Sequence, residues 1–198
     1  MNLDECKNLT DLFFDQSEKI KKEDIFLEWL NKVNRKKFSW SQTQSCIFKL
    51  AKKLKEHVKE GDRVLLVSEN RPEWLISDLS IMLSNAITVP AYTTYTENDY
   101  RYLIEDCKPT VVIVSNTAMH KKLEKTIIEK EYIKTVITFD NVTRQESKKN
   151  YLQFDSIIKT VLSEKDKIKT SNQKRNSPAC IIYTSGTGGN PKGVILSH

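Results

Sequence analysis

Apolar positions along this chain change period several times, and each change marks out an element. Ile47, Leu50, Ala51, Leu54 and Val58 recur at the three- and four-residue spacing of one helical face. Ser41 and Gln44 have the spacing of a capping box ahead of that face, and Gly61 stands where a helix-ending glycine belongs. The apolar run 64–67 then predicts a buried strand over 63–68. The alternation repeats. Pro72 suits a first helical position, and 74–83 is apolar on more than one face, as in a well-buried helix. A short strand is expected at 87–89, ended by Pro90. Thr96 and Asp99 signal a helix start, with Tyr100, Leu103, Ile104 and Cys107 as its apolar face and Pro109 beyond its end. A strand at 111–115, a helix at 117–131 and a strand at 134–139 complete the series.

The flanks are less regular. Residues 10–20 predict a short helix, and 25–29 with 37–40 predict strands around a basic turn at 31–36, so about 1–40 forms a helix and hairpin. Residues 140–150 predict a polar loop, 155–162 a short helix, 164–177 an exposed charged linker, and 180–183 a final buried strand. Short apolar strands separated by amphipathic helices predict an α/β fold of βαβ units around a mostly parallel sheet.

Composition narrows the class. With 198 residues the chain is long enough to bury a core without metals or disulfides. No apolar run approaches the roughly 18 residues of a membrane-spanning helix. The acidic first sixteen residues predict neither a secretory signal nor a transit peptide. Cys6, Cys46, Cys107 and Cys180 are scattered without a C-x-x-C pair, and His57, His120 and His198 are equally dispersed. That pattern fits free thiols in a reducing cytoplasm better than a zinc site or a disulfide framework. The net charge of +6 comes from lysines spread along the chain without interleaved aromatics, so a nucleic-acid or membrane-surface binder ranks last. Glycine is the informative count. There are five, about a third of average usage, and four of them stand within 186–193.

That cluster belongs to the segment Tyr183-Thr184-Ser185-Gly186-Thr187-Gly188-Gly189-Asn190-Pro191-Lys192-Gly193. Three hydroxyls can donate hydrogen bonds, glycines let backbone N–H groups approach an anion, and Lys192 adds a charge suited to phosphate. A Walker A loop does not fit: counting from Gly186 the sixth position is Pro191, and counting from Gly188 it is Gly193 followed by Val194. The dinucleotide fingerprint fails at Pro191 as well. Apolar runs on both sides predict a loop between two strands, not a helix N-terminus.

The segment resembles the phosphate loop of the adenylate-forming, AMP-binding enzymes, which reads Tyr or Phe, then T-S-G, then Ser or Thr, then T-G-x-P-K-G. Gly188 stands where that pattern has Thr. Trp40-Ser41, the G-D-R-V run at 61–64, the S-E-N-R-P-E-W run at 68–74 and the T-V-P-A-Y-T-T run at 88–94 are also similar to that superfamily, most of all to long-chain fatty acyl-CoA synthetases. The resemblance implies that residues 1–198 are the N-terminal part of the AMP-binding domain, with 164–177 leading into the loop. It implies ATP with Mg²⁺, a fatty acid and coenzyme A as small-molecule partners of the complete enzyme, and no nucleic acid. Acyl-adenylate formation would precede thioester formation. By the same resemblance Thr184, Ser185, Gly186, Thr187, Gly188, Gly189 and Lys192 contact phosphate or shape the loop. Neither a catalytic residue nor a metal ligand is expected here, because the adenine, ribose and catalytic-lysine motifs fall beyond His198. The isolated chain is expected to be inactive, as the N-terminal fragment of an acid–thiol ligase in the cytoplasm or peripheral at the inner face of a membrane. A noncatalytic fold or interaction module derived from such an enzyme, and another acid-activating ligase of the superfamily, stay open. Ser197-His198 is expected to cap a following helix.

Overall fold

The computed structural model of the chain describes residues 6–30, 35–169, 171–184 and 190–198. Helix α1 spans Leu9–Glu18 and is capped by Asn8, whose side chain accepts from the Asp11 N–H at 3.0 Å. Strands β1 (Ile25–Leu30) and β2 (Arg35–Ser39) form an antiparallel ribbon of their own. The rest alternates: α2 (Trp40–Leu54), β3 (Arg63–Val67), α3 (Pro72–Leu83), β4 (Ile87–Ala91), α4 (Glu97–Cys107), β5 (Val111–Val114), α5 (Thr117–Glu129) and β6 (Thr135–Thr138). Then come β7 (Asn150–Gln153), α6 (Phe154–Ile158), β8 (Pro178–Thr184) and β9 (Lys192–Ser197). Strand order across the main sheet is β7-β6-β5-β3-β4-β8-β9. Every pairing is parallel except β8 with β9. The α/β fold with a mostly parallel sheet is as expected.

The strands distribute side chains with period two. Val64 and Leu66 face one layer, made by α1, α2, α3 and α6; Leu65 and Val67 face the other, made by α4 and α5. Among the described residues no helix is long and apolar enough to cross a membrane.

Several boundaries differ from expectation, each for a physical reason. The helix expected to be capped by Ser41 starts two residues earlier. Ser39 accepts from the Gln42 N–H at 3.2 Å, and the Gln42 side chain accepts from the Ser39 N–H at 2.9 Å. Both serines have the box spacing, but Trp40 stacks on Phe13 and packs against Phe26, which fixes it in the first turn. Gly61 does not end α2, which stops at Leu54. It takes φ +78° in the turn before β3 and donates its N–H to Asn85. Pro90 lies inside β4, opposite Leu66, and does not end it. Beyond Thr88↔Cys180 no pairing to β8 is registered, so β4 tolerates a residue without a donor there.

Strand β7 follows the expected loop, sharing only Asn150 with it, and was not anticipated. The expected exposed linker over 164–177 is tied down in its second half. Ser171 and Gln173 are buried, their carbonyls accept from Asn8 Nδ2, and Asn172 N–H donates to Asn85 Oδ1. Ser197 closes β9, and His198 docks at the first turn of α1, where Nδ1 accepts from the Leu9 N–H.

Candidate phosphate-binding site

The topology dictates where a ligand can lie. Strand β3 leads through α3 to β4 on one side. β4 then leads through α4 back across β3 to β5 on the other side, over the opposite face. The chain therefore leaves the carboxyl ends of β3 and β4 toward opposite layers, and such a switch point opens a crevice. A cavity of about 480 Å³ lies there. Its walls are 68–70 after β3, 90–93 at the end of β4, Trp74, and Ile182 with Tyr183 on β8. Two of the motif runs singled out in the sequence thus face each other across one crevice.

β8 runs parallel to β4, so Thr184 reaches the same edge of the sheet. The chain returns antiparallel, with Lys192 registered opposite Thr184 and Gly193 opposite Tyr183. Thr184 and Lys192 are both exposed at the mouth of this hairpin. Ser185, Gly186, Thr187, Gly188 and Gly189 lie outside the described residues. Gly193 meets a close-approach requirement. A Cβ there would stand 2.8 Å from the Ile181 side chain and 3.2 Å from the Tyr183 ring. The absent side chain lets that ring lie against β9.

Helix α4 touches both stems of the hairpin, which the sequence did not announce. Tyr183 donates its hydroxyl to Asp106 Oδ2, and Tyr102 donates its hydroxyl to the Pro191 carbonyl at 2.9 Å. Burial first, and the bond to Asp106 second, push the Tyr183 phenol far above its ordinary range, so it stays a neutral donor. Tyr100, on the same helix, donates to the Tyr92 carbonyl at 2.7 Å and fixes a wall of the cavity.

The N-R-P-E-W run has a structural use. Glu73 is 2% exposed and accepts from Arg71 at 2.9 Å and from Lys36. Arg71 reaches Asp140 at 3.2 Å and lies over the rings of Trp29 and Phe139. One buried carboxylate thus joins the β1–β2 ribbon, the start of α3 and the end of β6. Burial alone would raise the Glu73 pKa, but hydrogen bonds from Arg71 and Lys36 outweigh it and hold the carboxyl below its ordinary range. Burial pushes the Cys46 thiol up to about 11 and the Cys107 thiol up to about 12, so neither offers a thiolate near neutrality. Among the described residues no three His, Cys, Asp or Glu side chains converge as metal ligands. The donors present, a hydroxyl and an ammonium, suit phosphate oxygens.

The family profile of the AMP-binding enzymes matches residues 14–198. The chain belongs to the AMP-binding enzyme family. Among relatives of this family member, fatty acyl-CoA synthetase A of Dictyostelium discoideum is 29% identical over 147 residues, 71% of this chain and 21% of that protein. A long-chain-fatty-acid–CoA ligase of Rattus norvegicus is 32% identical over 135 residues, 65% of this chain and 20% of that protein. The AMP-binding chain therefore spans about a fifth of the length of the curated relatives it matches. Its fold is shared with the luciferase-like enzyme of the mealworm Zophobas morio. That likeness has a TM-score of 0.81 and 21% identity, over 100% of this chain and 44% of that one. The anthranilate–CoA ligase AuaEII, solved with anthranoyl-AMP, gives a TM-score of 0.79 and 22% identity over 96% and 34%.

Proposed function

We propose that this chain supplies the triphosphate-binding part of an ATP-dependent acid–CoA ligase, and that the ligase activates a long-chain fatty acid. ATP and the carboxylic acid form an acyl-adenylate and pyrophosphate; coenzyme A then displaces AMP to give the thioester. Residues 1–198 form the N-terminal part of the adenylation domain in this reading. The observation that carries it is the hairpin at the carboxyl edge of the sheet, with Thr184 and Lys192 facing each other beside the switch-point cavity. Lys192 neutralises the triphosphate, and Thr184 donates to it. Ser185, Gly186, Thr187, Gly188 and Gly189 complete the loop by their residue types. Mg²⁺ shares the charge of the triphosphate and travels with it, which suits a donor set without carboxylates. Gly188 offers a backbone N–H where a threonine would add a hydroxyl. The long-chain assignment is supported by the fatty acyl-CoA synthetases among the relatives.

The test is pyrophosphate release by the full-length protein across acids from acetate to palmitate. Palmitate is expected to be preferred, and Lys192→Ala to lose roughly tenfold or more in kcat/KM, the worth of one hydrogen bond to a charged group. Preference for acetate or an aromatic acid would refute the long-chain assignment. A Lys192→Ala variant that matched the parent would refute the assignment of the loop.

A further inference from the structure

Strand β9 is an edge strand exposed at every position, and among the described residues β8 is its registered neighbour. On its other side β8 is registered to β4 at Thr88↔Cys180, four residues before Thr184, so the loop end of the hairpin extends past that pairing. Lys192 is the first residue of β9, at that loop end. A cation that binds phosphate gains most when it is held in place before the ligand arrives. Among the described residues, helix α4 contacts both stems at the mouth of this hairpin.

Tyr102 and Asp106 are one helical turn apart, so they share a face of α4. Tyr102 holds the strand leaving the loop through the carbonyl of Pro191, the residue before Lys192. Asp106 holds the strand entering the loop through the hydroxyl of Tyr183, the residue before Thr184. The Tyr183 ring lies against Gly193, the residue after Lys192, so the second bond also braces β9. Both bonds reach the residue next to a candidate phosphate ligand, and both come from one rigid helix.

We infer that Tyr102 and Asp106 are positioning residues that clamp the two stems of the hairpin and hold Lys192 and Thr184 in place for an anionic ligand. The inference rests on the reading of Lys192 as a phosphate ligand for its purpose, but its geometry can be tested without a ligand. Neither residue belongs to the core: Tyr102 is half-buried and Asp106 is exposed, so their variants are expected to fold.

The experiment is hydrogen–deuterium exchange of the amides of residues 190 and 192–194 in the 198-residue chain, with no ligand, beside titration with Mg²⁺·tripolyphosphate. Tyr102→Phe is expected to speed exchange there by roughly three- to tenfold, the worth of one neutral hydrogen bond, and Asp106→Ala by about tenfold or more, because its acceptor is a carboxylate. Exchange in β3 and β5 should not change. Asp106→Asn keeps an acceptor for the Tyr183 hydroxyl and should restore the parent rate, which a merely charged surface residue would not do. Tyr102→Phe should weaken tripolyphosphate by a similar factor, and Lys192→Ala should weaken it further. Unchanged exchange at 190–194 in both Tyr102→Phe and Asp106→Ala overturns the clamp, whatever the titration gives. Unchanged tripolyphosphate affinity in Lys192→Ala sinks the phosphate reading alone, and the exchange data still decide the clamp.

Discussion

Removing the Glu73 carboxylate is the perturbation whose cost can be worked most directly from the structure. Glu73 is 2% exposed and Arg71 is 10% exposed, so their ion pair is shielded from solvent. The other two partners are wetter: Lys36 is 38% exposed and Asp140 is 50% exposed. Breaking a buried pair from one side costs about 3–5 kcal/mol, chiefly because the remaining charge loses its compensation. Arg71 keeps Asp140 in Glu73→Ala, so the lower end applies, about 3 kcal/mol. For a chain of this size that lowers Tm by roughly 6–12 °C. The assay is urea unfolding of the parent and Glu73→Ala, repeated from pH 7 downward. Glu73 has a folded-state pKa below its ordinary value. Its charge therefore stabilises the fold above the unfolded carboxyl pKa, near 4.3, and that contribution is lost as pH falls through the folded pKa. The gap between parent and variant should close in that acid window. The double variant Arg71→Met, Glu73→Leu should recover much of the loss, because apolar residues can replace a buried pair. A loss under about 1 kcal/mol for Glu73→Ala, or a gap that does not narrow as pH falls below about 4.3, would refute this reasoning.

Further outcomes follow from the same geometry. Gly193→Ala should cost about 1–3 kcal/mol in urea unfolding, because the new Cβ forces Ile181 and the Tyr183 ring aside; a variant as stable as the parent would contradict that contact. His120 is fully buried, with Nε2 2.8 Å from the Tyr151 hydroxyl, and burial lowers its pKa, as it does for His57 and His198. The unfolded chain takes up these protons near pH 6.5 while the folded one resists, so stability should fall as pH drops below about 6.5. Urea midpoints at pH 7.5 and 5.5 check this, and His120→Gln should flatten the slope.

The βαβ series was legible because β3 and β5 carry unbroken, fully buried apolar runs at 64–67 and 111–114, while α4 shows a single apolar stripe. β7 was not, because Tyr151 and Leu152 are only half-buried at a sheet edge and make an apolar pair too short to read as a strand between Asn150 and Gln153. The 164–177 stretch looked like a linker because its anchors are backbone carbonyls bound by Asn8, which leave no trace in side-chain polarity. The candidate site itself was proposed from residue types alone, because hydroxyls, glycines and a lysine in one segment suit an anion. Its support was not legible there. Tyr102 with Pro191 and Asp106 with Tyr183 are partners brought together only by the β4–α4–β5 crossover, and one sequence holds no record of such pairs.

In the proposed function, Thr184 and Lys192 at the mouth of the β8–β9 hairpin bind a triphosphate. Calorimetric titration of the 198-residue chain with Mg²⁺·ATP, alongside Lys192→Ala, addresses it directly. Binding is expected to be saturable, to weaken with added salt and to weaken roughly tenfold in Lys192→Ala. Equal affinity in the two proteins, or no binding by the parent at low salt, would contradict it.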